Sequence, residues 1–238
     1  LILLAGPTKS VEMRKLYKLL EEYDCQLILV DGALNRIAPM VETDGIVLAT
    51  GASRNTDIEV LTKEAQAISE IHRLKVWQPH NPQRKEIAVG PILDEEMAEK
   101  FLDRLTDEEE IFVKGIIGEQ GFEALIEKGL EKLKGRTIIM EDPIKILVAG
   151  SPVDVQNYVN RLAKNGTTVM VKRPVDLRMI TINPFYPRYR YASHDYEAAY
   201  IDKVALKESM VAAVRTPVIN VLEESEEKLL SMALAERK

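Results

Sequence analysis

The stretch Leu27-Ile28-Leu29-Val30-Asp31-Gly32 decides the predicted fold. Four apolar residues followed at once by a carboxylate and a glycine are typical of a buried strand that ends at the carboxyl edge of a parallel sheet. Open α/β proteins bind their ligands at that edge. Asp31 is therefore the first candidate site residue. Two interpretations stay open: it holds the water shell of a nucleotide-bound magnesium ion, or it caps the turn after the strand.

Composition and charge limit the classes of protein to which the chain can belong. Its 238 residues suffice for one large α/β domain or two small ones, and 46% hydrophobic with 29% charged residues is ordinary for a globular protein. The formal net charge of −6 argues against broad nucleic-acid binding, so we expect no nucleic-acid partner. We see neither a membrane-spanning apolar run nor a signal peptide.

The cysteine count and the first residues add two expectations. Cys25 is the single cysteine, which excludes an intrachain disulfide and a cysteine zinc cluster and suits a reducing, cytoplasmic compartment. The chain starts with Leu1 inside a strand-like run. We therefore expect that it is part of a longer natural protein with an upstream segment.

A second group of candidate site residues lies between a predicted first strand, residues 1–5, and a predicted helix. The group comprises Gly6, Thr8, Lys9 and Ser10. Lys9-Ser10 matches the end of a Walker A loop, but Thr8 stands where that pattern requires glycine. The simpler interpretation is a strand-to-helix turn with Thr8 or Ser10 as the N-cap. The exposed backbone amides of such a helix start would still favour an anion.

A third group of candidates follows the predicted strand 45–50. Gly32 follows Asp31 at the end of its strand, and Thr50, Gly51 and Ser53 follow this next strand. They either surround the same rim as Asp31 or serve as turn and cap residues before a helix that starts near residue 57. Because the carboxyl ends of parallel strands meet at one edge, we predict that Gly6, Asp31 and Thr50 line one pocket.

The second half of the chain repeats the alternation of strands and helices. Strands are predicted at 111–117, 137–140, 145–149, 168–171, 177–182 and 217–221, and helices around 97–105, 122–133, 155–162, 195–214 and from residue 225. The irregular, proline-containing stretch before residue 83 suggests a boundary between an N-terminal lobe, 1–82, and a second α/β lobe, 83–238. The predicted fold class is α/β, a Rossmann-like or P-loop-like layered sheet, mostly parallel, in two lobes.

Residues 185–191 form an aromatic stretch with two arginines, Phe185-Tyr186-Pro187-Arg188-Tyr189-Arg190-Tyr191. So many amphipathic rings are costly to leave in solvent. We predict a contact loop for a protein partner or for a second copy of the chain. The alternative is that these rings pack inside the protein and hold its two lobes together.

Several motifs together carry a resemblance to a known group of proteins. They are Ala5-Gly6-Pro7-Thr8-Lys9-Ser10, Asp31-Gly32-Ala33-Leu34-Asn35-Arg36, Asp44-Gly45-Ile46-Val47-Leu48-Ala49-Thr50-Gly51-Ala52 and Thr181-Ile182-Asn183-Pro184. In this combination the chain resembles proteins encoded alongside cobalamin-dependent lysine and ornithine aminomutases of amino-acid-fermenting bacteria. The resemblance implies a nucleotide-linked chaperone or reactivase, with the aminomutase as partner and with ATP and Mg²⁺ as cofactors.

The sequence leaves open whether the chain binds ATP and whether it catalyses a reaction. Proteins of that group carry a nucleotide-binding loop near the N-terminus, and no complete loop of this kind is visible in the sequence. Either the chain does not use ATP, or the loop lies in an upstream segment. The sequence also leaves open whether any reaction is catalysed, a degenerate or truncated ATPase being the catalytic alternative. The competing hypothesis is a Rossmann-type small-molecule enzyme or sensor that binds a phosphate-bearing ligand.

Overall fold

The structure, a computed structural model, describes residues 3–4, 6–7, 9–23, 25, 27–32, 40, 42–78, 85–106 and 109–235. The described helices are α1 (Ser10–Glu21), α2 (Ile58–His72), α3 (Glu95–Arg104), α4 (Glu119–Leu133), α5 (Pro143–Leu147), α6 (Pro152–Lys164), α7 (Lys203–Ala213) and α8 (Glu226–Leu234). The described strands are β1 (Ile46–Gly51), β2 (Lys85–Val89), β3 (Ile92–Leu93), β4 (Glu109–Val113), β5 (Ile116–Ile117), β6 (Thr137–Met140), β7 (Thr168–Val171), β8 (Leu177–Asn183), β9 (Phe185–Arg190), β10 (Asp195–Tyr200) and β11 (Val218–Asn220). The architecture is layered, Rossmann-like α/β with mostly parallel sheets, as the sequence predicts.

The chain divides into two compact units. The first contains Leu1–Asp44, Leu74–Gly150 and Asn157–Val175, and the second contains Gly45–Arg73, Ser151–Gln156 and Asp176–Lys238. The predicted boundary between residues 82 and 83 lies outside the described residues. The division into lobes 1–82 and 83–238 therefore stays a prediction.

A four-stranded parallel sheet forms the centre of the first unit. Its strand order is β2-β4-β6-β7, and Val76 adds a parallel bridge to Val171 at the outer edge. All the described residues of β6 except Thr137 are buried, as are Ile111, Phe112 and Val113 of β4. A strand that is apolar on both faces requires cover on both sides, which explains why these runs do not alternate between apolar and polar residues.

The second unit has a three-stranded parallel sheet in the order β1-β8-β11. The central strand β8 carries Ile180 and Ile182, which are both fully buried. Helices α2 and α7 pack against each other and against this sheet. Two hydrogen bonds between hydroxyl groups link α2 to α7 and to the residues that follow it. They join Thr62 to Ser209 at 2.9 Å and Ser69 to Thr216 at 3.1 Å.

Several predicted elements are confirmed by the structure. They are the strands at 45–50, 137–140, 168–171, 177–182 and 217–221, the helix after the second candidate group, the helix from about residue 57, the helices around 97–105, 122–133 and 155–162, and the helix from residue 225. Their starts follow capping rules, because Asp57, Asp94 and Ser225 accept backbone N–H bonds from the first turns of α2, α3 and α8.

The strand predicted at 145–149 is wrong, since residues 143–147 form α5. Asp142 caps this helix by accepting a hydrogen bond from the Lys145 N–H at 3.0 Å, and Pro143 occupies its first position. A cap followed by proline favours a helix start over continued extension. The apolar run that suggested a strand is the buried side of a short helix, with Ile144, Ile146 and Leu147 in the core.

Four further predicted elements differ from the structure. No strand forms at 27–30, where Leu29 is 81% exposed, and Leu3 and Leu4 are not in a strand either, while the rest of 1–5 lies outside the described residues. An apolar run becomes a strand only where a neighbouring strand completes its hydrogen bonds. The strand at 111–117 is interrupted after Val113, and the first part of the helix predicted at 195–214 is the strand β10.

Asp142 leads to a prediction about pH. Burial raises the pKa of this carboxyl, against the opposing effects of the Lys145 backbone N–H and of the Lys145 and Arg173 charges. A raised pKa in the folded state stabilises the fold at acidic pH, and this contribution is lost as the pH rises through the folded pKa. Relative to Asp142→Asn, the wild-type free energy of unfolding should therefore decrease as the pH rises above about 4, the ordinary pKa of an aspartate. Urea titrations across this pH range measure the difference, and a parallel pH dependence of the two proteins would contradict the prediction.

Candidate functional site

The predicted N-terminal candidates lie at the start of α1. Gly6 is exposed, Lys9 occupies the N-cap position without a side-chain cap, and Ser10 is the first helical residue. Ser10 is therefore not the N-cap, which corrects one of the two predicted caps; the other, Thr8, lies outside the described residues. The structure places Lys9 and Ser10 at a helix start, where the first backbone amides lack partners within the helix.

Asp31 and Gly32 are in the first unit, outside any strand. Asp31 is exposed and Gly32 is half-buried. Gly6 belongs to the same unit, whereas Thr50 belongs to the second. The pocket predicted to join Gly6, Asp31 and Thr50 stays a prediction.

Thr50 and Gly51 end β1 at the carboxyl edge of the three-stranded sheet. Thr50 pairs with Ile182 and Gly51 with Asn183, and the Ala52 N–H donates to the Asn183 carbonyl at 2.8 Å. A Cβ atom on Gly51 would lie 2.1 Å from that same carbonyl oxygen. The close approach of the two backbones therefore requires glycine at this position.

Further polar groups meet at this edge. The Ser53 hydroxyl donates to the Phe185 carbonyl at 3.2 Å, and Asn183 Oδ1 accepts the Phe185 N–H at 3.0 Å. Asn220 pairs with Ile182 and is fully buried. Its Oδ1 accepts the Leu222 N–H at 3.0 Å, whereas its Nδ2 has no hydrogen-bond partner among the described residues.

We call Thr50, Gly51, Ser53, Asn183 and Asn220 the sheet-edge group. Apart from Gly51, its members carry neutral hydrogen-bonding side chains, and the guanidinium of the next residue after Ser53, Arg54, pairs with Glu64 at 3.0 Å. The start of α2 is capped, because Asp57 accepts the N–H groups of Glu59 and Val60. The sheet-edge group is therefore better suited to an uncharged polar group than to a phosphate.

Asn220 is not among the predicted site residues, although the sequence carries a signal for it. It is the polar residue that ends a short apolar strand, the same signal that selected Asp31 and Thr50. The strand predicted at 217–221 places Asn220 inside it, whereas β11 ends at Asn220. A buried amide N–H without a partner costs about 1–3 kcal/mol, so this atom is one that a ligand can satisfy.

The predicted contact loop is one strand of a two-stranded antiparallel ribbon. Strands β9 and β10 pair from Phe185 with Tyr200 to Arg190 with Asp195, and a turn at 191–194 joins them. We call this hairpin the aromatic ribbon. Its second strand was not predicted, although residues 195–200 show a partial alternation of polar and aromatic residues.

The two faces of the aromatic ribbon differ in chemistry, because side chains alternate along a strand and paired residues share a face. One face carries Phe185, Pro187, Tyr189, Tyr196, Ala198 and Tyr200. The other carries Tyr186, Arg188, Arg190, Asp195, Glu197 and Ala199. On the second face Arg188 Nε donates to Glu197 at 2.6 Å and Arg190 Nε donates to Asp195 at 2.7 Å.

The aromatic face is exposed to solvent. Tyr196 is 67% exposed and Tyr200 is 62% exposed, and Tyr191 in the adjoining turn is 83% exposed. The rings contact one another edge to face: Tyr189 lies 5.0 Å from Tyr191 and 5.2 Å from Tyr196 between ring centroids. The ribbon therefore presents a preformed row of aromatic rings, which is a common composition of protein interfaces.

In the part of the chain that the structure describes, no three His, Cys, Asp or Glu residues come together as a metal site. Among the described helices, none combines the length and the apolar character that crossing a membrane requires. Comparison of the chain with protein-family models, with curated proteins and with solved structures found no match.

Proposed function

We propose that the chain is a cytoplasmic accessory protein of a cobalamin-dependent lysine or ornithine aminomutase, and that it acts as a nucleotide-linked chaperone or reactivase. The observation that carries the proposal is the exposed aromatic face of the ribbon. Tyrosines are frequent among residues that dominate binding energy, because they bury a large area at a low cost in conformational entropy. The sequence resemblance supports the identity of the partner.

The ribbon is suited to docking for a second reason. Its charged face is internally paired, since the two arginines bind the two carboxylates of the opposite strand. Cross-strand ion pairs and ring pairs stabilise a hairpin without help from a partner. The aromatic face is therefore preorganised for binding, and less conformational entropy is lost when a partner binds.

ATP and Mg²⁺ are part of this proposal because the resemblance to the aminomutase-associated proteins implies them as cofactors. Magnesium is commonly held by one or two carboxylates together with water and phosphate oxygens, so it does not need a cluster of acidic residues. An exposed single carboxylate such as Asp31 fits that mode of binding. The exposed Lys9 and the amides at the start of α1 fit the phosphates of a nucleotide.

A binding experiment tests the proposed function. Purified chain is mixed with purified lysine or ornithine aminomutase and analysed by size-exclusion chromatography with light scattering, with and without ATP and Mg²⁺. We expect a complex whose stability depends on the nucleotide. A cobalamin-dependent mutase that acts on an acyl thioester is the control and should not bind. Failure to detect a complex with either aminomutase would contradict the proposal.

The buried Asn220 favours a second candidate function. A small-molecule enzyme or sensor of Rossmann type would bind its ligand at the carboxyl edge of a parallel sheet, where the sheet-edge group lies. The unpartnered Nδ2 of Asn220 would then donate to a ligand oxygen. Ligand binding that is independent of any aminomutase and is weakened by Asn220→Ala would favour this alternative.

Asp31→Asn tests the magnesium interpretation. The substitution keeps the shape of the side chain and removes its charge, so Mg²⁺-dependent ATP binding should weaken by about tenfold, while thermal stability stays unchanged because Asp31 is exposed. Titration with a fluorescent ATP analogue, with Mg²⁺ or with EDTA, measures the effect. Asp103→Asn, at another exposed carboxylate, is the matched control. Unchanged binding, or a large loss of stability, would favour turn capping.

A further inference from the structure

A cavity of about 300 Å³ lies in the second unit, between the end of α2 and the segment that follows α7. Its walls are formed by a hydroxyl, a carboxylate, two apolar residues and two arginines, namely Ser69, Glu70, Ala213, Val214, Arg73 and Arg215. We call it the arginine cavity. Arg215 precedes β11, so the cavity is at the amino end of that strand. The sheet-edge group lies at the carboxyl end of the same sheet, and the two sites are therefore separate.

The walls of the arginine cavity are held together by contacts within the second unit. Ser69 Oγ and Thr216 Oγ1 lie 3.1 Å apart, and both residues are buried. This hydrogen bond joins the last turn of α2 to the segment after α7. The Arg73 N–H donates to the Glu70 carbonyl at 3.1 Å, which fixes the backbone at the end of α2. The cavity is therefore preformed, and less conformational entropy is lost when a ligand binds.

The two arginines of the cavity differ from the other described arginines of the second unit, which pair with carboxylates. The pairs are Arg54 with Glu64, Arg178 with Asp176, Arg188 with Glu197 and Arg190 with Asp195. Arg73 and Arg215 are exposed and have no carboxylate partner among the residues that the structure describes. The arginine cavity thus brings together two guanidinium groups whose hydrogen-bond donors are available to an anion.

Glu70 lines the same cavity but does not pair with the arginines. Its Oε1 accepts a hydrogen bond from Gln66 Nε2 at 3.0 Å, and its Oε2 accepts one from Gln156 Nε2. Both oxygens are therefore bound to neutral amides. The Glu70 charge and the carbonyl groups at the ends of α2 and α7 oppose the binding of an anion. An anion must therefore be held by direct hydrogen bonds from both guanidinium groups.

We propose that the arginine cavity binds a phosphate group, either free phosphate or the phosphate of a small monoester. A phosphate monoester has three terminal oxygens that accept hydrogen bonds. Each guanidinium is a planar fork of donors that matches two such oxygens, so Arg73 and Arg215 together bind one phosphate. A carboxylate has only two oxygens and is filled by one arginine. The rest of a monoester would contact Ala213 and Val214, and the volume of the cavity admits only a small molecule.

Calorimetric titration of the whole chain without nucleotide tests this proposal independently of the proposed function, since Lys9 and Asp31 belong to the first unit. The probes are glycerol 3-phosphate, inorganic phosphate and acetate. We expect saturable binding of glycerol 3-phosphate and no binding of acetate. Equal affinity for inorganic phosphate identifies free phosphate as sufficient, whereas an affinity roughly tenfold lower identifies a monoester as the ligand. The absence of saturable binding of both phosphate probes, or binding of acetate with the same affinity, would overturn the proposal.

Three substitutions and a control test the assignment of the residues. Arg73→Gln and Arg215→Gln each remove one fork of donors, so each should weaken the binding of the tighter phosphate probe by about tenfold or more. Glu70→Gln keeps the shape of the side chain and removes an opposing charge, so the affinity should rise. Arg104→Gln changes an exposed arginine of the first unit and should leave the affinity unchanged. Thermal unfolding checks that each variant is folded. If the Arg73→Gln or the Arg215→Gln protein binds as tightly as the Arg104→Gln protein, the proposal fails.

Discussion

Gly51→Ala is expected to destabilise the second unit by about 3 kcal/mol or more. The new Cβ would lie 2.1 Å from the Asn183 carbonyl oxygen, which is a backbone atom and not the flexible end of a side chain. The φ angle of +155° at Gly51 adds strain for any other residue. To accommodate the methyl group, β1 must separate from β8 at the point where Ala52 also bonds to Asn183.

Chemical denaturation of the purified protein measures this loss. Gly6→Ala is the matched control, because a Cβ at Gly6 meets nothing within 4 Å, and it should leave stability unchanged. Gly135→Ala should lie between the two, since that glycine has a φ of +76° but open space around it. Equal stabilities of the Gly51→Ala and Gly6→Ala proteins would contradict the close approach of β1 and β8.

The second large effect is expected at the aromatic ribbon. Replacing Tyr191, Tyr196 and Tyr200 with serine should weaken the complex with the aminomutase by about 100-fold or more, because three exposed rings would be lost from the contact. The free energy of unfolding should change little. These rings lie at the surface, and the ion pairs on the other face of the ribbon remain.

Biolayer interferometry with the immobilised mutase measures the affinity, and thermal unfolding measures the stability. Tyr23→Ser serves as control, because Tyr23 is a tyrosine of similar exposure, 69%, outside the ribbon. If the triple variant unfolds, the rings belong to the core. If it stays folded and binds as tightly as the Tyr23→Ser protein, the assignment of the ribbon as an interface fails.

Much of the fold follows from local patterns in the sequence. The parallel sheets are predicted by apolar runs that end in small or polar residues, and α2 by the spacing of Leu61, Ala65, Ile68 and Ile71, which are all buried. Such patterns succeed where one segment decides its own structure. They also select Thr50, Gly51 and Ser53, which the structure brings together with Asn183 and Asn220 at one edge.

The wrong predictions have a common physical cause. An apolar run indicates that a segment is buried, but it does not indicate whether the segment is a helix or a strand. The run after Asp142 is a helix because a cap and a proline precede it. The run at 27–30 does not form a strand. The two strands of the aromatic ribbon form because they pair with each other across a turn. The prediction of a helix at 195–214 did not take this pairing into account.

The order of the strands in the second sheet has a consequence for synthesis on the ribosome. β1 cannot find its neighbour until β8 has been translated, and Thr62 cannot meet Ser209 until 147 further residues have been added. The first unit, by contrast, pairs β2, β4, β6 and β7 in the order in which they emerge. During translation the apolar side of α2 therefore stays exposed until β8 and α7 have been synthesised. The sheet of the first unit can assemble before that. In a growing chain, α2 is the segment on which a ribosome-associated chaperone would act.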